Sequence, residues 1–398
     1  MLNLLSIILF ISVCFPYIRI IPIEGYTQPT SIIISIAILI FYVNNYLINK
    51  YNLRILIYFA TYGVLLFLLS CYPYNSLQEY KYLMMYISPF FIVTALLISL
   101  EYNFQGLVRL LKLSIGIWFF VSILQLFWRP DFATFMIGNW GDSAQDIAVS
   151  GRGVMGLAPE PTHHGFHILL LGATLALLDI KNQSFGLVLL CFLESILLAQ
   201  SSSSLMCLLL AATVTFFIYS PILFISILIA LFLIPEIFFV DINFDESNNR
   251  IVTLILEFIK NPLDILNSDY SLNVRLAGVF ATFSLIFSKF LIPEGLLQTD
   301  WLTSREYALE SYDWLMGLSF VGPPSGFGIL IYQGGIFSLI FCLYFISLIC
   351  TTKFFNLPYK IIVFSSIFIF FNQYYISASG FSLILAAVLY RKCTLKNI

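Results

Sequence analysis

Charge is what this chain has least of. Lysine and arginine number 19 and aspartate and glutamate 21 in 398 residues, so 10% of positions are charged, against about 25% in an average soluble domain. A formal net charge of −2 leaves no basic footprint for a polyanion, so nucleic acid is not expected as a partner. Histidine is scarcer still, with His163, His164 and His167 the whole supply. The cysteines Cys14, Cys71, Cys191, Cys207, Cys342, Cys350 and Cys393 lie in or beside apolar runs. They show no metal-ligand spacing and read as small buried hydrophobes rather than a disulfide framework. No internal repeat or low-complexity linker divides the chain, so residues 1–398 read as one domain. The opening MLNLLSIILFISVCF lacks a basic leader and a small-residue cleavage site. It is expected to stay as a helix rather than be removed as a signal.

What is present is apolar. Hydrophobic residues make up 60% of the chain, with 40 Phe and 23 Tyr, and the mean hydropathy is +0.95. A membrane-crossing helix needs roughly 20 mostly apolar residues. Runs near 2–22, 30–48, 54–71, 82–100, 106–128, 163–180, 184–200, 203–220, 221–241, 326–350, 357–375 and 379–392 meet that length loosely. The expected fold class is therefore all-α and polytopic, with about twelve transmembrane helices. Lys50, Arg54, Arg109, Lys112, Lys181, Lys353, Lys360, Arg391, Lys392 and Lys396 then fall on one side. Short basic loops face the cytoplasm, so both termini are expected there, in a plasma membrane. Two outward segments remain, 129–162 and 242–325. Within the second, 251–266 has an amphipathic pattern and 276–287 is apolar but short for a span.

The chemistry concentrates in SGRGVMGLAPEPTHHGFH, residues 150–167. Pro161 suits the first position of a helix, and Glu160 or Thr162 is placed to cap it. Arg152 sits among Gly151, Gly153 and Gly156. It reads as a solvated loop arginine, or as a planar fork for phosphate oxygens near a helix start. Glu160 reads as a cap or as a general base. His163 and His167 share a helix face at i, i+4, but beyond Glu160 no third ligand is in reach, so no metal and no cofactor is expected. His163 or His164 faces the outer side, and His167, one turn deeper, reads as a hydrogen-bonded packing residue. Arg275 stands just before the short apolar stretch and reads as an interfacial arginine or as a second cation opposite Arg152. Arg250 and Arg305 are weaker substrate-binding candidates. Glu194 lies inside an apolar run, where a carboxylate usually faces a cavity or a partner.

GRGVMGLAPEPTHHG, the serine run AQSSSSLMCLLLAA, NVRLAGVF in the second outer segment and GPPSGFGILIYQGGIFSLIFCLY occur in an order that resembles the bacterial O-antigen and capsule polymerases of the Wzy type. That resemblance implies a glycosyltransferase joining polyprenyl-diphosphate-linked repeat units on the outer face of the inner membrane. It implies a lipid-linked donor and acceptor as substrates, the bilayer as surroundings and a chain-length regulator as a further partner. Carried over by position, Arg152 and Arg275 would hold the diphosphate, and Glu160, with His163 or His164 as the alternative, would take the acceptor proton. Stabilising the leaving diphosphate by fixed cations needs no metal.

Two other readings compete with it. An O-antigen ligase would place a histidine in the large outer segment, and 242–325 has none. A transporter or flippase of lipid-linked glycans would bind near the midplane and often shows internal repeats. Here the polar groups crowd one side.

Overall fold

The computed structural model describes residues 1–21, 27–43, 45–70, 77–137, 148, 153–179, 183–222, 225, 270–320, 322–354, 356–372 and 376–396. Its described residues form thirteen helices and no sheet. Among the described residues the one β contact is an isolated antiparallel bridge between Ile18 and Ile137. In chain order the helices are α1 Leu2–Cys14, α2 Thr30–Tyr42, α3 Asn45–Lys50, α4 Arg54–Ser70, α5 Leu77–Phe127, α6 Pro161–Leu178, α7 Phe185–Leu193, α8 Ser202–Tyr219, α9 Tyr270–Ser288, α10 Gln298–Ser311, α11 Gly326–Cys350, α12 Leu357–Phe371 and α13 Ser379–Lys396.

Helix α6 is the axis of the bundle. Every residue from Pro161 to Leu178 except His163 is buried, and α5, α7, α8, α12 and α13 all pack on it. A helix apolar all round must be covered all round, and here its neighbours do the covering. Close approach of α8 depends on Gly165. A Cβ there would stand 2.4 Å from Ser204 Oγ and 3.1 Å from Ser201 Cβ.

Two long helices are broken. In α5 the backbone leaves helical geometry at Asn103 (φ −144°, ψ 58°), and Asn103 Oδ1 caps the restart by accepting from Gly106 N at 3.1 Å. In α11 the break falls at Gly335 (φ 55°, ψ −139°), a conformation open to glycine. The interrupted turn is not left unpaired. Glu294 N and Gly295 N donate to the Tyr332 and Gln333 carbonyls, and Ile336 N donates to Leu291 O. Tyr62 donates its hydroxyl to Gly334 O at 2.8 Å.

This architecture corrects the expected one. Helices occupy most of the apolar runs, but only three among the described residues are long and apolar enough to cross a membrane by length and composition. They are Gln78–Phe127, Ser202–Tyr219 and Gly326–Cys350. The helices Leu2–Cys14 and Thr30–Tyr42 have 13 residues each, about 20 Å of rise, against a hydrocarbon core of about 30 Å. The twelve-span polytopic fold is therefore not what the described residues form. The physical reason is that hydropathy marks an apolar run without saying what covers it. In α6 the cover is protein on every side.

The Wzy-type resemblance was carried by short motifs. The glycosyltransferase activity, the lipid-linked donor and acceptor, the bilayer and chain-length-regulator partnership, and the multi-pass inner-membrane placement that it implied need the many-span architecture, and three candidate spans among the described residues contradict them. Nor do the described residues hold a cluster of three or more His, Cys, Asp or Glu that could support such chemistry with a metal.

Candidate functional site

The first residues to meet are on α5. Trp118, Ser122 and Gln125, spaced by four and three, share one face, and that face looks onto the start of α6. Trp118 Nε1 donates to Cys14 O at the end of α1, at 3.0 Å. Gln125 grips the incoming loop on both sides. Its Oε1 accepts from Gly156 N at 2.7 Å, and its Nε2 donates to Gly156 O and Phe132 O, each at 2.8 Å. The loop's other edge lies along the segment after α7, with Val154 N donating to Leu198 O at 2.8 Å. Gly153 permits this contact. Its φ is +123°, and a Cβ would meet Ala199 O at 2.3 Å.

Pro161 opens α6 in its first turn, and Glu160 occupies the N-cap position with extended backbone (φ −147°, ψ 153°) and no side-chain cap bond. The loop and the cap together bring His164 inward. His164 Nδ1 lies 2.9 Å from Val154 O. Its Nε2 lies 3.0 Å from Glu194 Oε1 and 3.4 Å from Ser122 Oγ. Both the imidazole and the carboxylate are 0% exposed.

Glu194 owes its position to a local irregularity. Residues Glu194–Leu198 form a π turn at the end of α7, and such turns often re-aim a side chain at a functional site. Ser122 Oγ lies 2.9 Å from Trp118 O and 3.0 Å from Glu194 Oε1, so its one hydroxyl hydrogen is shared between them. Glu194 Oε2 and Ser195 Oγ are buried and have no hydrogen-bond partner among the described residues. Trp118 stacks on His164 with centroids 5.5 Å apart and planes 18° apart.

The proton arithmetic follows from these contacts. A carbonyl oxygen only accepts, so the Val154 contact requires a hydrogen on Nδ1. The Nε2···Oε1 contact then needs a second hydrogen, carried by the imidazole or by the carboxyl. With two protons the pair is neutral overall and bridges the loop to the π turn. With one, it must give up either Val154 or Glu194.

The other candidates fall elsewhere. Arg152 and Arg250 lie outside the described residues, as does the amphipathic stretch 251–266. Arg275 is within α9, five residues past its start, rather than ahead of the helix. Arg305, on α10, donates from Nε to Leu318 O at 2.8 Å and lies over the Phe320 ring at 3.8 Å. Nearby, burial pushes the Asp300 carboxyl above its usual range, with Glu294 adding repulsion. At the far side of the loop Arg129 pairs with Asp131 at 3.0 and 2.7 Å, and those hydrogen bonds hold the Asp131 carboxyl below its usual range. His163 is half-buried, 6.0 Å from the Tyr17 ring between centroids, and Glu160 is also half-buried. The structure thus joins His164 with Glu194, thirty positions apart, while the contacts of Arg305 are with Leu318 and Phe320.

Sequence reasoning passed over Trp118, Ser122 and Gln125. The signal was there: three hydrogen-bonding side chains on one stripe of the otherwise apolar stretch 115–127.

Comparison with known proteins finds no matching family model, no matching curated protein and no matching solved structure.

Proposed function

We propose that this protein is a proton-gated helical bundle, in which the protonation state of the His164–Glu194 pair decides whether the loop 153–158 stays clamped on the π turn after α7. One observation carries the reading: His164 uses Nδ1 on the loop carbonyl of Val154 and Nε2 on Glu194 Oε1, and the two contacts together need two protons. Loss of one leaves two acceptors competing for a single N–H. The loser is a buried oxygen left facing a nitrogen lone pair, with Ser122 still donating to Oε1 if the loser is Glu194, a loss of about 1–3 kcal/mol. That is enough to shift a loop held by a few hydrogen bonds.

Gating suits the burial better than catalysis does. Both groups are 0% exposed, so a substrate does not reach them while the loop is down. Among the described residues the titratable neighbours include His163 and His167 on α6, Cys191 on α7, and Tyr17 beyond α1, which faces both of those histidines.

The test is hydrogen exchange at residues 153–158 across pH, corrected for intrinsic exchange, in the wild type and in Glu194→Gln. Glutamine can donate its amide hydrogen to Nε2 and keep the bridge without a titrating proton. Protection of the loop should fall with rising pH in the wild type and stay level in the variant. Identical profiles in the two proteins would sink the proposal.

A further inference from the structure

The bridge leaves one matter open: which partner carries the second proton. We propose that Trp118 assigns it to His164, so that the resting pair is imidazolium–carboxylate rather than imidazole–carboxylic acid. The inference rests on the proton-bridge reading and adds a positioning residue to it.

The geometry around the pair is unequal. On the imidazole side, the indole ring lies nearly parallel to His164 with centroids 5.5 Å apart, within the roughly 6 Å over which an aromatic face attracts a cation. The indole is itself fixed. Its N–H is spent on Cys14 O, and Phe15 stacks against it with planes 2° apart and centroids 6.2 Å apart. The face turned to His164 therefore cannot swing away without breaking that bond and that stack. The Val154 carbonyl pulls the same way, because an N–H on a charged ring donates more strongly than one on a neutral ring.

The carboxylate side is divided. Ser122 offers its hydrogen to Oε1, which favours the anion. Oε2 has no partner among the described residues, which favours the neutral acid. With the two carboxylate effects opposed, the indole face decides. A desolvated cation–π contact is worth roughly a thirtyfold preference in where the proton resides. The transfer is balanced: the hydrogen moves along the Nε2···Oε1 line, the N–H bond breaks as the O–H bond forms, and the pair stays neutral in both forms. Buried charge is conserved as a sum and differs only in separation.

Trp118→Leu removes the face and Trp118→Phe keeps a weaker one. Infrared difference spectra of the full-length protein against its Glu194→Gln version report the carboxyl directly, since a protonated acid has a carbonyl stretch that the carboxylate lacks. Nitrogen chemical shifts of labelled histidine report the ring. The wild type should show ionised Glu194 and doubly protonated His164. Trp118→Leu should show the acid band, absent again in the Trp118→Leu, Glu194→Gln double variant, and Trp118→Phe should lie between. A misfolded Trp118→Leu would show neither the acid band nor the doubly protonated ring, whereas a shifted proton exchanges one signal for the other. An acid band already present in the wild type, or ionised Glu194 persisting in folded Trp118→Leu, would overturn the assignment. If loop protection still falls with pH in that case, the bridge stands and only the role of Trp118 fails.

Discussion

His167 donates from Nε2 to the carbonyl oxygen of Cys14 at 2.9 Å. That carbonyl sits at the last turn of α1, where helical oxygens lack partners along the chain. Trp118 donates to the same oxygen at 3.0 Å. Three elements, α1, α5 and α6, are thereby tied at one atom beneath the His164–Glu194 pair.

A double-mutant cycle on that atom should be strongly non-additive. Trp118→Phe and His167→Leu each leave one donor on Cys14 O and should each cost about 1 kcal/mol from the lost bond. The double variant leaves a buried carbonyl with neither donor. It should cost about 1–2 kcal/mol more than the sum of the singles. Chemical denaturation of the four proteins measures this, and strict additivity would show that the shared carbonyl is not what couples them.

Gly153→Ala should release the loop without altering either side chain of the His164–Glu194 pair. Its Cβ would stand 2.3 Å from the backbone oxygen of Ala199, at a φ of +123°, so neither the neighbour nor the residue can yield cheaply. A cost of about 2 kcal/mol is expected. Hydrogen-exchange protection should drop at 153–158 at every pH while the helices keep theirs. Gly186→Ala is the control. A Cβ there meets nothing within 4 Å, and the change should be neutral or slightly stabilising.

Arg391→Lys tests the other end of α6. The guanidinium is buried and donates to Ala176 O at 3.3 Å, Leu177 O at 2.9 Å and Lys353 O at 3.0 Å. Positive charge at a helix C-terminus is favourable, and lysine keeps it. Lysine lacks the planar fork that reaches carbonyls on two segments at once. A destabilisation of about 1–3 kcal/mol is expected, read as a lowered melting temperature. An unchanged melting temperature would mean that charge alone suffices there.

Along the chain, the starts of α6 and α8 could be read before any fold was in hand. Pro161 in the first turn of α6 was legible, because a proline lacks the N–H that a helix start does not use. The serine run at 201–204 was legible as polar punctuation, and in the fold Ser201 Oγ accepts from Ser204 N at 3.2 Å and caps α8. Glu194 stood out because a carboxylate in an apolar run needs a partner.

What each apolar run faces emerged from packing alone. Hydropathy is a property of the residues, and cover is a property of their neighbours. The same composition that suggested twelve crossings was used in α6 to bury a helix among five others. The partner of Glu194 was equally invisible along the chain. Three histidines were on offer within five positions, and the choice of His164 came from the loop. Gly153 and Gln125 fix the loop on Leu198 and on α5, which puts the Val154 carbonyl opposite Nδ1 and turns Nε2 toward the π turn. Hydrogen-bond direction is set by where backbones cross, and the crossing of α5, α6 and α7 is a long-range outcome of packing that no local spacing encodes.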